Sequence, residues 1–264
     1  MGDGPWVRLG NRGRPSWYLL PEVARQKREL HLALICRWTD GAPQRILKTD
    51  LFEEAFGEDQ LLGSLFPPAR RVYGCDVAHS TASRAALRFP EFAGNLLVMD
   101  VRRPALQEAS LDLIISTSTI DHFATREEFR RSLAALAGLL RPGGRLILTL
   151  DNPWNPLLAP LRWYIRWRNG PFPLGYTPFF STLCKDLEAL GLTVEDHDWL
   201  IHNPRGLSTA LFLLMRRLLG RRATAPISWL LAIFNCLDRL PTRRFTACFQ
   251  AVSAIKAPSG GVAS

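Results

Sequence analysis

Between Arg45 and Asp151, strand-like apolar runs alternate with helix-like segments over short links, and this rhythm restricts the fold more than any other feature of the 264 residues. RILKTD (45–50), RVYGCD (71–76), NLLVMD (95–100), LDLIIST (111–117) and RLILTLD (145–151) read as strands. The fourth is apolar almost throughout, which suits a strand buried on both faces. Helical patterns occupy 51–65, 79–88 and 126–140, the last opening with acids and ending at RPGG (141–144). Such alternation predicts a parallel sheet covered by helices on both faces through right-handed crossovers. Ligands of such sheets lie beyond the carboxyl ends of the strands, where the strand order reverses. Asp50, Asp76, Asp100 and Asp151 close four of the five runs. Acids repeated at equivalent ends point to a polar ligand along that edge.

The flanks differ in character. Residues 1–16 are rich in Gly, Pro and Arg and read as a loose lead-in, with a helix over 20–37. Residues 152–180 are dense in Pro and aromatics; 181–192 reads as a helix and 193–201 as a strand. Two apolar, Arg-bearing helical stretches follow within 206–240, then an alternating run at 243–257 that reads as a closing strand. This divides the chain into a lead-in and helix (1–43), a core (44–201), a helical insertion (202–242) and a final strand with its tail (243–264).

VYGCDVAHSTASRAALRF (72–89), LLVMDVRRPALQEASLDLIISTSTIDHF (96–123) and LRPGGRLILTLDNP (140–153) together resemble the class I S-adenosylmethionine-dependent methyltransferases, of the small-molecule type. The resemblance implies an α/β, doubly wound, Rossmann-like sheet of seven strands with the last antiparallel; here an apolar helical insertion precedes that last strand. It implies S-adenosylmethionine (SAM) as cofactor. Position by position, Asp76, with Val77 beside it, matches the acid that takes the ribose hydroxyls, and a carboxylate can accept both protons. Asp100 matches the acceptor for the adenine amino group, and Val101 would pack on the adenine face. Ser116 and Thr117 match the turn beside the methionine end. Each of these acids also suits a plain capping role.

The first turn departs from the family pattern. A glycine-rich loop is expected after the first strand, where backbone must approach the cofactor. Here LKTDLFEEAFG (47–57) puts Asp50, Leu51 and Phe52 at those places, and its first glycine is Gly57. Two readings stay open: a rebuilt loop in which Asp50, Glu53 or Glu54 meets the cofactor's cationic groups, or a relative that has lost the cofactor.

Methyl transfer needs alignment and, for an OH or NH acceptor, a base. Asp121 and His122 follow the fourth strand and Asp151 closes the fifth, so these three are the candidate acceptor-side residues; His202 is a further one. DNPW (151–154) matches the motif of nucleic-acid amino-methyltransferases only superficially, since it follows the fifth strand instead of the fourth. No cysteine pattern suggests a metal site or a disulfide framework, and a reducing, cytoplasmic setting is expected.

The net charge of +9 is unevenly spread: residues 201–264 carry nine basic and one acidic side chain. Their helical stretches interleave Arg with long aliphatic runs, as does LRWYIRWR (161–168). These stretches read first as a helical subdomain packed on the core; beyond that, their chemistry suits a helix lying at a membrane interface, a lid over an apolar acceptor or a dimer contact better than it suits nucleic acid. The leading expectation is therefore a methyltransferase for an apolar small molecule or lipid-like acceptor, with peripheral contact at the inner face of the membrane through 161–168 and 206–240. A non-catalytic binding relative and a nucleic-acid methyltransferase stand as alternatives.

Overall fold

In the computed structural model, Ile46 and Leu47 are neighbours in the chain yet bury their side chains in two different cores. They lie in β1 (Arg45–Thr49), the middle of a sheet completed by β2 (Arg71–Asp76), β3 (Leu96–Val98), β4 (Leu111–Thr117), β5 (Leu140–Asp151), β6 (Leu192–Leu200) and β7 (Phe249–Lys256). Residues 5–12, 20–39, 41–65, 71–168 and 174–258 are described. The spatial order is β3-β2-β1-β4-β5-β7-β6. Pairing is parallel from β3 across to β5, whereas β7 runs antiparallel to both β5 and β6. This is the seven-stranded, doubly wound arrangement expected from the sequence.

The helices that cover the sheet follow from the strand alternation. Ile46, Val72, Leu113, Ile115 and Ile147 face one core, filled by α2 (Pro21–Trp38), α3 (Phe52–Phe56), α4 (Leu62–Leu65) and α5 (His79–Arg88). Leu47, Ile114, Leu146 and Leu148 face the other, filled by α6 (Arg126–Leu139) and α8 (Phe180–Glu188). Burying each such Leu or Ile contributes about 1.5–3 kcal/mol. Helix α6 starts at Thr125, whose hydroxyl accepts from Glu128 N at 3.2 Å, a capping box written as T-x-x-E.

A third core joins the insertion to the body. Phe212 of α9 (Leu207–Leu219) and Ile227 and Leu231 of α10 (Thr224–Cys236) pack with Leu20 and Val23 at the start of α2. Arg216 donates to Glu22 at 2.5 Å, and Gln26 Nε2 donates to Asn235 Oδ1 at 2.7 Å. The pair α9–α10 is thus a hairpin docked on α2. Between β5 and α8 lies α7 (Leu158–Trp167).

Three local expectations change. Residues 5–12 are not a loose lead-in but a helix, α1 (Pro5–Arg12), that buries Leu9. A Cβ added at Gly10 would lie 2.6 Å from Thr81 Oγ1, so α1 sits close on the first turn of α5. RPGG does not simply stop α6: it lies within β5, where the register shifts between Leu111 and Leu113 and absorbs the extra residues. Residues 243–246 form the short helix α11 (Arg243–Thr246) instead of strand. Their carbonyls are claimed by the amides of Asn152 and Asn155, which removes them from the ladder.

Candidate functional site

The order β2-β1-β4 makes the gap between β1 and β4 the point of reversal, and the backbone is strained on both sides of it. Asp50, just past β1, has φ 66°, and Ser118, just past β4, has φ 52°. A non-glycine residue there carries a cost that surrounding structure must hold in place. A hydroxyl chain ties the two strand ends: Thr49 Oγ1 donates to Ser116 Oγ at 2.9 Å and lies 2.7 Å from Thr119 Oγ1. Ser116 is fully buried, whereas Thr117 is half-buried at the rim.

Asp76 ends β2 beside this point. Its Oδ1 accepts from Ala78 N at 2.7 Å and its Oδ2 from Leu51 N at 3.2 Å. Burial raises its carboxyl to about 6, against the pull of those two N–H groups and of Lys48. A carboxylate offers about four acceptor positions, so capacity remains on Asp76. Val77, next to it, is exposed at the rim.

The glycine-poor turn is filled by a buried ion pair that the sequence reading did not find. Lys48 Nζ donates to Glu54 Oε2 at 2.9 Å and to Asp50 O at 2.5 Å, and Glu54 Oε1 accepts from Leu61 N at 3.0 Å. Glu53 is held by Lys27 at 2.8 Å. Of the three acids in the turn, Glu53 and Glu54 are therefore matched to lysines. Asp50 uses Oδ1 to accept from Phe52 N at 2.7 Å. Burial, then Glu53 and Asp76, push its carboxyl well above the usual range. Leu51 points into the core. A lysine inside an otherwise apolar strand, with a glutamate six residues on, was the available signal.

Asp100 and Val101 are placed differently from the rim pair. Arg102 embraces Asp100: Nε lies 3.0 Å from Oδ1, Nη2 2.7 Å from Oδ2, and Arg102 N also donates to Oδ1 at 2.9 Å. Despite partial burial, these bonds hold the Asp100 carboxyl low. Arg102 also pairs with Glu128 at 2.6 Å and lies over the Phe123 ring. Val101 is buried in the second core with Met99 and Phe129.

Asp121 and Asp151 are brought together beneath the ends of β4 and β5. Asp121 Oδ2 accepts from Asp151 N at 2.7 Å and from Ser118 Oγ at 3.2 Å. Burial, and then the Asp151 charge, raise the Asp121 carboxyl. Asp151 Oδ1 accepts from Arg205 at 2.6 Å, and the Arg205 guanidinium lies over Phe249. Asp121 Oδ1 and Asp151 Oδ2 are buried with no partner. His122 is half-buried on the same turn. Backbone crosses over that turn at Gly175, where an added Cβ would meet Phe123 O at 2.2 Å; only glycine fits there. His202 is buried, with Nδ1 2.8 Å from Thr246 Oγ1, and burial lowers its pKa. In the DNPW segment, Asn152 donates to the Arg244 and Ala247 carbonyls, so its amide anchors a loop. Among the described residues no group of three or more His, Cys, Asp or Glu is placed to hold a metal.

No curated protein sequence matches the chain. The solved structures similar to it include the N-methyltransferase NodS from Bradyrhizobium japonicum WM9 in complex with S-adenosyl-L-homocysteine, at 15% identity and TM-score 0.58, covering 97% of this chain and 100% of that one. A putative sarcosine dimethylglycine methyltransferase from Galdieria sulphuraria matches at 14% identity and TM-score 0.57, covering 89% and 85%. The [4+2]-cyclase SpnF matches at 16% identity and TM-score 0.56, covering 94% and 84%. Residues 53–148 match the family model described as a methyltransferase domain. The chain therefore has the fold of the class I S-adenosylmethionine-dependent methyltransferases, and within that fold its residues 53–148 are similar to a methyltransferase domain.

Proposed function

We propose that the protein transfers a methyl group from SAM to an apolar small-molecule or lipid-like acceptor. The observation that carries the cofactor half is Asp76: a half-buried carboxylate at the switch-point edge, with both oxygens oriented by backbone N–H groups and acceptor capacity left over. The acceptor positions left on that carboxylate fit a pair of vicinal hydroxyl donors. Val77 at the rim, Thr117 and the Ser116 hydroxyl chain line the same edge. Asp50, buried and with its charge disfavoured, is the one acid of the first turn without a lysine hydrogen-bonded to its carboxylate. A cationic neighbour would favour its ionised form. Asp100 takes the adenine amino group in this reading only if Arg102 turns away, and Val101 supports that loop from the core side.

When bound, the cofactor supplies a methyl carried on a sulfonium. The chain's part is alignment and proton handling. We assign His122 as the acceptor-side base, because it is a half-buried imidazole on the turn after β4, next to Asp121 at this edge. Asp121 and Asp151 position this edge: one fixes the end of β5 through Asp151 N, and the other orients Arg205.

The apolar acceptor class rests on the exposed aromatic and aliphatic side chains near that edge, among them Trp154, Phe179 and Phe245, whereas Leu157, Leu158 and Leu161 line only a water-sized crevice of about 10 Å³ with Asn155, Arg205 and Cys248. Among the structures of like fold, NodS is an N-methyltransferase. In this reading residues 44–201 with the last strand form the cofactor core and 202–242 a lid. The cysteines are free thiols and suit a reducing, cytoplasmic setting. No helix among the described residues is long and apolar enough to cross a membrane.

A second reading is a binding protein without methyl transfer. It is favoured by the buried Lys48–Glu54 pair where glycine backbone is expected, and SpnF, of like fold, is a cyclase. Calorimetry with SAM and S-adenosylhomocysteine separates the two. Binding lost in Asp76→Ala supports the first, and no heat with either ligand at millimolar concentration overturns it. Labelled SAM incubated with cell extract then reports the acceptor class.

A further inference from the structure

We propose that the α9–α10 hairpin is a docking surface for an anionic lipid bilayer, with the tryptophan-bearing helix α7 as its flank. On α9, Leu207, Leu211, Leu214 and Leu218 are all exposed, and their spacing of four, three and four residues puts them on one stripe. The opposite side of the helix, through Ser208 and Phe212, is the one that is buried. On α10, Trp229 and Ile233 are exposed while Ile227 and Leu231 are buried. Both helices of the hairpin thus turn large apolar side chains inward and outward alike. Packing on α2 explains only the inner set. Leu218 keeps 72% and Trp229 65% of their surface in solvent, and a cluster of this kind on a folded monomer marks an interaction site.

Charge selects the occupant. The tip joining the two helices carries Arg217, Arg221 and Arg222, while Arg216 is paired with Glu22. Residues 201–264 hold Asp238 as their one acid. A second copy of this chain would bring the same cations against themselves, whereas an anionic headgroup layer neutralises them. Aliphatic stripes interleaved with Arg and edged by Trp match the boundary between headgroups and acyl chains. The flank continues the pattern: Trp163 and Trp167 of α7 stack 5.9 Å apart and are both exposed. A Cβ added at Gly206, the residue opening α9, would lie 3.3 Å from Leu161 of α7, so the two helices adjoin. An arginine-bordered apolar surface of this kind holds the protein at a bilayer without spanning it. The proposal extends the apolar-acceptor reading but does not depend on cofactor binding.

Vesicle flotation without cofactor tests it, using phosphatidylcholine vesicles with and without phosphatidylglycerol. The full chain is expected to float with the anionic vesicles, less so as salt rises, and to stay behind with the zwitterionic ones. Each basic residue at such a surface contributes roughly a fivefold factor. Replacing Arg217, Arg221 and Arg222 by Gln should then weaken binding on the order of a hundredfold. Leu214→Ser with Leu218→Ser should weaken it at least about tenfold, with unchanged circular dichroism and unchanged SAM affinity. Tryptophan emission should shift to the blue on anionic vesicles, and less so in Trp229→Leu. The proposal is overturned if the wild-type chain stays unbound, or if the leucine and arginine variants float as it does. It is equally overturned if light scattering shows a stable dimer that Leu214→Ser with Leu218→Ser dissolves, or if RNA outcompetes the vesicles. SAM calorimetry on the same preparations reports separately on the methyltransferase reading.

Discussion

Lys48 Nζ lies 2.9 Å from Glu54 Oε2, and both side chains are buried where β1 runs into a turn that holds no glycine before Gly57. Glu54, with Asp50 and Glu53, holds the lysine charged despite its burial. Glu54 in turn fastens Leu61 N. The turn is thus built by side-chain electrostatics where glycine would build it by backbone freedom. Removing one partner leaves an uncompensated charge in the interior, which costs about 3–5 kcal/mol. Lys48→Met is expected to lose that much stability in urea unfolding. Lys48→Met with Glu54→Gln should recover a good part of it. A single variant as stable as the parent would show that the pair is not closed in solution.

Cofactor affinity should depend on pH through Asp76. Its carboxyl is raised to about 6, first by burial, and only the ionised form accepts two hydroxyl protons. Above pH 6 the affinity is expected to be flat, and below it to fall about tenfold per unit. For the unliganded protein the sign is opposite. A raised folded pKa favours the protonated native state, so this group's contribution declines as pH rises from the unfolded carboxyl range through about 6. Calorimetric titrations from pH 5 to 8 read the first effect, and the dependence should vanish in Asp76→Asn. An affinity unchanged at pH 5 would remove Asp76 from the ribose role.

The two rim acids should respond unequally to mutation. Asp100 is fully engaged by Arg102, whereas Asp76 has capacity to spare. Asp76→Ala is expected to abolish measurable SAM binding. Asp100→Ala should change the affinity less than about tenfold, in keeping with one hydrogen bond. Equal losses at both positions would mean that Arg102 swings away on binding.

Asp151 is buried and pairs with the half-buried Arg205, whose guanidinium it holds above its ordinary pKa against the cost of desolvation. Arg205→Met should cost about 3–5 kcal/mol by stranding Asp151. If Asp151 instead served as a free base, Arg205→Met would lower activity through a shifted pH profile while leaving the melting curve in place. Thermal unfolding and the pH–rate profile of one variant distinguish these outcomes.

Asn152 donates to the Arg244 and Ala247 carbonyls and accepts from Trp154 N at 3.0 Å. Asn152→Ala leaves these buried groups unmade and should cost at least about 2 kcal/mol. Unfolding in urea checks this, and an undiminished midpoint would mean that the 151–155 loop has other anchors.

The sequence by itself determined the layered sheet and its edge. Apolar period and turn residues are local properties, so β2, α5 and β4 lie at the positions their residues predict. The acids at Asp50, Asp76 and Asp151 fell at strand ends for the same reason. Tertiary structure decided how each acid is used, because a carboxylate's role depends on what the fold brings to it. Lys48 reaches Glu54, Arg102 closes on Asp100 and Arg205 crosses 54 residues of chain to meet Asp151. The helix α1 and the turn α11 were likewise illegible, because their partners, the first turn of α5 and the amides of Asn152 and Asn155, are distant in sequence. The apolar character of α9 is local, but only its docking on α2 decided that Phe212 is buried and that Leu207, Leu211, Leu214 and Leu218 face solvent.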